Sequence, residues 1–382
     1  VCNEVTVAQT VVDALGHSFG EDLKCSACDA VAVASIGDKM YTSLEAAVDA
    51  ANETEEADTI TILGDVVINS RLDITTEIIM IAGEAVTISA SDDLDAHMFY
   101  IDGGNLTLGS ETAKITLAAS VATRNIINIK NTAETTIINV HLAGNENSKY
   151  IGTNTASGMN IDAGSVTATN VTIANVPSRG IRVAKGCTAN LDNVSISDPG
   201  GHGILAIGTV NIYTALSITN AGVNGITVDT NGTVVSYFEN LSEEAYAIQI
   251  ENTEQSAIQV RKGVLNITNV SINTALCGVK VSAAGADATV QNANIANAQT
   301  AIESVADTTL TVENVSVDTC DRAKVSIAGT VSGEITYLEH TEIIDEAVAA
   351  TCTETGLTEG KHCSVCNEVT VAQTVVDALG HS

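Results

Sequence analysis

The chain has few aromatic residues, few prolines and few basic residues. None of its 382 residues is Trp, and aromatic residues make up only 3% of the total, so few aromatic side chains are present on which a ligand ring could stack. Only two Pro occur, so few backbone N–H donors are missing from any sheet. With 16 Lys and Arg against 47 Asp and Glu, the formal net charge is −31. We therefore expect no binding to nucleic acid.

Long apolar runs are also missing from the sequence. No stretch reaches the length that a bilayer-spanning helix needs, so we expect no membrane insertion. The apolar residues that are present are mainly Val, Ile, Leu and Ala, which suit a narrow interior filled by stacked side chains.

A short unit recurs through the middle of the chain at steps of 22 or 23 residues. It is clearest between 165 and 228, where Val171, Val194 and Leu216 begin equivalent runs of alternating apolar and polar residues. Such alternation has the period of a β-strand. A repeat this short cannot bury a face alone and must stack on its neighbours. The pattern predicts an all-β fold, a right-handed parallel β-helix solenoid of roughly 12 to 13 rungs.

A small residue marks one corner of each unit, where we expect Gly to supply a positive φ. The corners are predicted at Gly158, Gly180, Gly203, Gly225, Ala247, Gly278, Ala301 and Ala323. Two steps are longer than the rest and predict inserted loops. One lies near Gly144 to Ser157, and the other lies near Glu251, between Ile250 and Gly278. Loops that interrupt a regular coil are where binding is expected.

Asparagine recurs at a second fixed position of the unit. Several of these residues happen to spell the glycosylation signal Asn-x-Ser/Thr. A turn position whose side chains stack and hydrogen-bond from one turn to the next explains the spacing better. The residues are Asn170, Asn193, Asn269, Asn292 and Asn314.

One amphipathic helix precedes the coil. Leu44, Ala47, Val48 and Ala51 fall on one helical face, and Ser43 can cap its start. A short helix in this place usually covers the open end of a solenoid. We therefore assign residues 35–57 as a helical cap and 58–345 as the coil.

The two ends of the chain carry the same sequence. Val1–Ser18 recurs without a change as Val365–Ser382. Either the chain is one period of a tandem array or its ends were duplicated. Joining the ends gives a small cysteine-containing junction module, with residues 1–34 as its second half and 346–382 as the first half of the next.

The module's cysteines suit a structural zinc site. Cys25 and Cys28, with Cys363 and Cys366, form two Cys-x-x-Cys turns, and four such thiolates match tetrahedral zinc. An equally acceptable set is Cys352, Cys363, Cys366 and His381; Cys2 and His17 are copies of Cys366 and His381. Disulfides and free thiols remain alternatives. Within the coil, Cys187, Cys277 and Cys320 are predicted to be inert thiols, buried or in turns.

The junction module resembles short repeats of large surface proteins from Gram-positive anaerobes. The resemblance rests on Ala350–Thr353, on the Cys363-x-x-Cys366 turn and on Ala378–His381, with Asn367 and Asp29 where such repeats usually have Gly. It implies an extracellular location, on a cell surface or in a secreted filament.

The coil resembles the pectin-lyase-like right-handed β-helix family, some members of which cleave acidic polysaccharides. The resemblance implies that a lyase would carry a calcium-binding acidic group beside an arginine base. Asp92, Asp93 and Asp95 are consecutive in sequence and do not form a column across turns. A basic cluster consists of Arg179, Arg182, Lys185 and His202. It has no acidic column beside it, so we interpret it as ordinary surface charge and expect that the protein is not an enzyme.

Together these features predict a non-catalytic extracellular structural protein whose copies join end to end in a filament. The alternative is an adhesin that binds glycans or cell-surface proteins through its inserted loops. A polysaccharide lyase is the third possibility.

Overall fold

The computed structural model describes residues 16–131, 133–150, 156–238, 246–318, 325–337, 342–364 and 369–381. Between 58 and 337 the strands coil into a right-handed parallel β-helix with three faces. We name them faces A, B and C, in the order in which each turn meets them. The all-β solenoid predicted from the 22-residue period is confirmed.

Face A contains twelve strands, each paired in parallel with the strand one turn away. At about 4.8 Å per turn, twelve turns make a coil roughly 50 Å long. The strands are Asp58–Ile62, Ile78–Ala82, Leu106–Gly109, Glu134–Ile138, Ser165–Ala174, Thr188–Ser197, Thr209–Ile212, Thr233–Ser236, Val264–Val281, Asp287–Ala296, Thr309–Asp318 and Thr330–Ser332. Five of these continue around the corner onto face B: Ser165–Ala174, Thr188–Ser197, Val264–Val281, Asp287–Ala296 and Thr309–Asp318.

Faces B and C are built in the same parallel way. Face B adds Val66–Ile68, Val86–Ala90, Ile115–Ala118, Val140–Ala143, Leu216–Thr219, Ile248–Val260 and Ile335–Tyr337. Face C contains Leu72–Ile74, Phe99–Asp102, Ile127–Lys130, Met159–Ile161, Ile181–Val183, Ile204–Ala206, Ile226–Val228, Thr300–Ser304 and Val325–Ile327, together with the ends of Ile248–Val260 and Val264–Val281.

The interior consists of columns of aliphatic side chains. Val171 pairs with Val194, and Val194 pairs with Leu216, so equivalent residues of successive turns lie directly above one another. All three are at most 2% exposed. Full burial of such a side chain is worth about 1.5–3 kcal/mol, and the column repeats that contribution at every turn. The predicted alignment of these three residues is confirmed.

The asparagine ladder at the corner between faces A and B is confirmed for two pairs of residues, whereas Asn292 Nδ2 donates to Thr268 Oγ1 and not to Asn269. Asn193 Nδ2 donates to Asn170 Oδ1 at 2.7 Å, and Asn314 Nδ2 donates to Asn292 Oδ1 at 2.8 Å. The asparagines of these two pairs have φ between 48° and 55°. Asn tolerates this left-handed conformation better than most residues, and its amide satisfies the neighbouring turn.

The prediction that the corner glycines supply positive φ is wrong. Gly180, Gly203 and Gly225 are not in the left-handed region, which the asparagines occupy instead. A Cβ on Gly203 would lie 2.6 Å from the Gly225 carbonyl oxygen and 2.6 Å from Ile218 Cγ2. Gly is therefore required here because successive backbones approach closely, not because of its φ.

One corner and one insertion were assigned to the wrong place. Ile226 pairs with Ile258, so Ala257, not Ala247, stacks on Gly225. Ala247 instead precedes Ile248 on face B. The dipeptide Ala-Ile occurs both at 247–248 and at 257–258, so the sequence alone does not show which alanine is at the corner. The extra residues lie at 237–247, of which 239–245 are outside the described residues, and no loop interrupts the strands near Glu251. The predicted corner Ala323 is also outside them.

The helix Leu44–Asn52 covers the first turn, as predicted. The Ser43 hydroxyl oxygen accepts a hydrogen bond from the Ala46 N–H at 3.2 Å, and the predicted face, residues 44, 47, 48 and 51, is buried. Asn52 Nδ2 donates to the Asp73 carbonyl oxygen at 2.6 Å, which satisfies part of the open edge. Within the described part of the chain, no helix has the length and apolar character needed to cross a membrane.

Two short antiparallel assemblies flank the coil. At the start, Ala34–Ile36 pairs with Lys39–Tyr41 and with the first strand of face A. At the other end, residues 342–364 and 369–381 form what we call the C-terminal module. Its strands are Glu342–Asp345, Gly356–Leu357, Gly360–Cys363, Val369–Val371 and Val375–Val376. The predicted coil boundary at 345 is too late, because Glu342–Asp345 pairs with Gly360–Cys363 and not with another turn.

We expect Gly203→Ala to lower the free energy of unfolding by about 1–3 kcal/mol, because its Cβ has no room between two turns. The matched control is Gly83→Ala, where a Cβ meets nothing within 4 Å and φ is not left-handed. Chemical denaturation followed by circular dichroism measures both variants. Equal midpoints for the two variants would show that close approach does not dictate glycine at the corner.

Candidate functional site

An open groove of about 670 Å³ runs along face C. It crosses six successive turns, from the strand Leu72–Ile74 to Ile204–Ala206, a length of about 24 Å. Its lining is Arg71, His97, Tyr100, Arg124, Asn125, Asn128, Lys130, Asn160, Asp162, Arg179, Arg182, Leu205 and Ile207.

The register of face C places the floor of this groove. Asn128 pairs with Tyr100 on one side and with Asn160 on the other, and Asn160 pairs with Arg182. Each is the outward-pointing residue of its strand, since its neighbours in the strand fill the interior. The four side chains therefore form one column across four turns.

The groove collects positive charge on an acidic molecule. Five of the 16 Lys and Arg residues of the chain line it, and only one of the lining residues is a carboxylate, Asp162. The five cations are Arg71, Arg124, Lys130, Arg179 and Arg182. The charge of the groove is thus opposite in sign to the formal net charge of the chain, −31.

Asp162 lies between two of these cations. Lys130 Nζ is 2.5 Å from Asp162 Oδ2, and Arg182 Nη1 is 2.6 Å from Asp162 Oδ1. Burial raises the pKa of Asp162, but the hydrogen bonds from Lys130 and Arg182 outweigh it, and the net pKa lies below its ordinary value. The carboxylate is therefore ionised at neutral pH, and it fixes the positions of both cations.

A network of buried amides forms part of this floor. Asn128 Oδ1 accepts hydrogen bonds from Asn125 Nδ2 at 2.8 Å and from Asn160 Nδ2 at 2.7 Å. Asn128 is 2% exposed, and its Nδ2 has no hydrogen-bond partner among the described residues. A buried donor left in this state costs about 1–3 kcal/mol, which a buried water molecule would offset.

Tyr100 is flanked by charged and polar groups. The Arg71 guanidinium carbon lies 4.1 Å from the centre of its ring, and the His97 ring stacks at 5.8 Å. Burial, followed by the charges of Arg71 and Arg124, lowers the pKa of His97 to about 4. His97 Nδ1 accepts from the Asn125 backbone N–H at 3.2 Å, so the neutral ring carries its proton on Nε2. His97 is therefore a hydrogen-bond donor.

The insertion near Gly144 borders the groove. Asp95 binds Lys149 Nζ at 2.8 Å, Arg124 Nε at 3.3 Å and the Tyr150 hydroxyl. The hydrogen bonds from Lys149 and then Tyr150 hold the pKa of Asp95 far below its usual range. This ion-paired cluster ties the inserted loop to the rim beside Arg124.

The interpretation of the basic cluster as scattered surface charge is only partly right. Arg179 and Arg182 line the groove. Lys185 is exposed outside it, while His202 is half-buried and hydrogen-bonds Thr227 Oγ1 at 3.0 Å. Sequence reasoning missed Arg71, Arg124 and Lys130, which belong to the irregular early turns. Aligning their strands with Ile181–Val183 would have shown that they share a face.

A second cluster lies at the N-terminal end. His17, Cys25 and Cys28 place their ligand atoms within 4.8 Å of one another, with His17 Nδ1 3.3 Å from Cys28 Sγ. A backbone hydrogen bond from Ala27, followed by His17, lowers the pKa of Cys25 to about 6. The thiolate at neutral pH and this donor set fit a soft or borderline metal such as zinc. His17, which was treated only as a copy of His381, is a member of this set.

The other predicted ligands lie elsewhere. Cys363 is buried in the strand Gly360–Cys363, and Cys352 and His381 are exposed in the C-terminal module. Cys2 and Cys366 lie outside the described residues. The zinc set Cys25, Cys28, Cys363 and Cys366 therefore stays a prediction.

The coil cysteines Cys187 and Cys277 are buried thiols, as predicted. Burial raises the pKa of both, for Cys277 to about 12, so neither is a nucleophile at neutral pH. Cys320 is outside the described residues.

Comparison with known proteins supports the architecture. A family model described as a right-handed beta helix region matches residues 157–317. The exopolygalacturonase of Thermotoga maritima has a similar solved structure, with a TM-score of 0.50 at 10% identity over 78% of this chain and 88% of that one. No curated protein matches the sequence.

Two further solved structures are similar at lower scores. The catalytic domain of a GH87 alpha-1,3-glucanase in complex with nigerose has a TM-score of 0.46 at 14% identity, over 78% of this chain and 66% of that domain. The A-module of the Azotobacter vinelandii mannuronan C-5 epimerase AlgE4 has a TM-score of 0.40 at 10% identity, over 78% and 92%. At these identities, the likeness concerns the coil and not its chemistry.

The expectation that the chain is not an enzyme is wrong. The exopolygalacturonase, whose solved structure shares this coil, is an enzyme. A parallel β-helix with a polar groove on one face therefore gives no ground for denying catalysis.

We expect the free energy of unfolding to fall on acidification from pH 6.5 to about pH 4. Burial lowers the pKa of His97 and of His202 to about 4, so in this range the unfolded chain binds protons that the folded chain does not. After allowance for solvent screening, the loss is about 1–2 kcal/mol for each histidine.

Denaturation midpoints measured across this pH range test the expectation. The double variant His97→Gln, His202→Gln should show a flatter pH dependence than the unaltered chain. Equal slopes for the two proteins would contradict it.

Proposed function

We propose that this protein is an extracellular carbohydrate-active protein whose groove on face C binds an acidic polysaccharide. The observation that carries the proposal is the collection of five cationic side chains in one groove of a chain with a net charge of −31. Electrostatic focusing in a cleft of one sign raises the local concentration of ligands of the opposite sign.

The shape and polarity of the groove support a polymer of sugars. The groove is open and elongated along the coil, so a chain can lie in it and extend beyond both ends. His97 Nε2 is a donor suited to hydroxyl or carboxylate oxygens. The acidic remainder of the molecule disfavours a ligand as densely charged as nucleic acid.

An acidic glycan fits better than a neutral one. Neutral sugars are commonly held by stacking on an open aromatic face, but Arg71 and His97 flank the ring of Tyr100. The chain has no Trp to replace it. Affinity must therefore come from charge and hydrogen bonds, which a uronate supplies through its carboxylate.

Action on the bound glycan is a second candidate, supported by the state of Asp162. Hydrolysis with two carboxylates needs an acid with a raised pKa, whereas the pKa of Asp162 is lowered. Lys130 and Arg182 instead suit chemistry in which negative charge develops on the substrate, such as proton abstraction next to a uronate carboxylate. Incubation with polyuronates, followed by assays for unsaturated products and for new reducing ends, separates elimination from hydrolysis.

The other expectations remain proposals. The contacts of Lys149 and Tyr150 at the groove rim support a binding role for the insertion near Gly144, as an adhesin would need. Assembly of copies into a surface filament and structural zinc at Cys25 and Cys28 are supported by the junction motif and by the His17 cluster.

We expect Arg71→Gln combined with Arg124→Gln to weaken binding of polygalacturonate or alginate by about tenfold or more, because two charge-assisted contacts are lost. Both side chains are well exposed, so the coil should fold normally. Lys114→Gln, an exposed cation outside the groove, is the matched control.

Titration calorimetry at two salt concentrations measures the effect. Binding to the unaltered chain should weaken as salt rises. Equal affinity for a neutral glucan, or loss of affinity in the Lys114→Gln control, would rule out the groove as an acidic-glycan site.

A further inference from the structure

The metal cluster at the N-terminal end has three ligands among the described residues. His17, Cys25 and Cys28 provide one nitrogen and two sulfurs. Structural zinc sites are almost always four-coordinate, with Cys3His as one of the common sets. A fourth ligand, preferably a thiolate, would complete the site.

The repeated sequence indicates where that ligand lies. Val365–Ser382 is identical to Val1–Ser18, so Gly380 corresponds to Gly16 and His381 corresponds to His17. The two glycines also share their backbone conformation, with φ of 71° at Gly380 and 75° at Gly16. The contacts of the C-terminal copy therefore show which partners this sequence prefers.

The C-terminal copy docks on residues 342–363. Val371 pairs with Lys361, and Val376 pairs with Gly356. Further along, the Gly380 N–H donates to the Cys352 carbonyl oxygen at 3.1 Å. Cys352 thus lies directly beside the residue that precedes the histidine of the repeat, and it is exposed.

Because the two segments are identical, either can occupy this docking place. If the segment that ends at Gly16 of a second copy replaces the one that ends at Gly380, Gly16 donates to Cys352. His17 then follows at the position of His381, with Cys25 and Cys28 of the same copy beside it.

We propose that a tetrahedral zinc site forms between two copies of this chain. His17, Cys25 and Cys28 of one copy and Cys352 of the other are its ligands. Among the described residues, a single copy brings only the first three of these ligands together, so metal binding joins the N-terminal end of one coil to the C-terminal module of the next. A further repeat of the same sequence within a longer chain would bring the same four residues together.

The exposed apolar residues at both ends agree with this junction. In the docked segment, Val375 is 66% and Leu379 is 75% exposed, and at the other end Val31 is 46% exposed. Residues 19–33 of the second copy would follow directly after the docked segment and cover part of this patch. The inference concerns the two ends of the coil and does not depend on the groove of face C.

The test uses the full chain under reducing conditions, after removal of metal by a chelator. On addition of zinc, light scattering should show growth from the 39.2 kDa monomer to dimers and longer assemblies, and chelator should reverse it. Cobalt in place of zinc should give the visible absorption of a tetrahedral thiolate site.

Two complementary variants make the test specific. Cys352→Ser keeps the three N-terminal ligands, whereas Cys25→Ser with Cys28→Ser keeps Cys352 but removes both N-terminal thiolates and leaves only His17 at that end. Each alone should remain monomeric with zinc, whereas a 1:1 mixture should form dimers and nothing larger, since only one intact junction is possible. Cys187→Ala, a coil thiol, is the control and should assemble like the unaltered chain.

Three results would overturn the proposal. These are normal assembly of Cys352→Ser, a mixture of the two variants that stays monomeric, and a tetrahedral cobalt spectrum in a chain that remains monomeric. The last result would mean that all ligands come from one copy. None of them bears on glycan binding, which the groove variants test separately.

Discussion

The structure depends on parallel, in-register pairing of each turn with the next. Where the step is 22 or 23 residues, paired residues of successive turns lie above one another, so one favourable side chain becomes a column. Val171, Val194 and Leu216 form such a column inside, and the asparagines at the corner form another outside. Each turn buries its apolar face only against its neighbours, and the coil therefore needs no large globular core.

The same pairing builds the groove. Residues far apart in sequence, such as Arg71 and Arg182, line the same groove because Arg71 directly precedes one strand of face C and Arg182 lies within another. Like charges at this spacing would repel one another if unscreened. Asp162 between Lys130 and Arg182, and Asp95 beside Arg124, offset part of that repulsion. The remaining positive charge is available to a ligand.

The regular part of the fold was predictable from sequence because its period is visible there. The strands from Ser165 onward, the asparagine corner and the helical cap follow from local patterns. The groove could not be predicted in this way. Arg71, Arg124 and Lys130 lie in early turns of uneven length, where no fixed step aligns them with Arg182. Two other predictions were wrong for local reasons. The corner at 257 was placed at 247 because the dipeptide Ala-Ile occurs at both positions. Gly203 was expected to have a positive φ, but close approach of two backbones also requires glycine, and the sequence does not distinguish the two causes.

A crystal structure with a bound uronate oligosaccharide would show whether the proposed acidic sugar chain lies against the cations of face C. We expect sugar units lying along the groove, with at least one carboxylate within about 3 Å of the Arg182 or Lys130 nitrogen atoms. An oligosaccharide bound on another face, or bound in the groove with its carboxylates turned away from every cation, would contradict it.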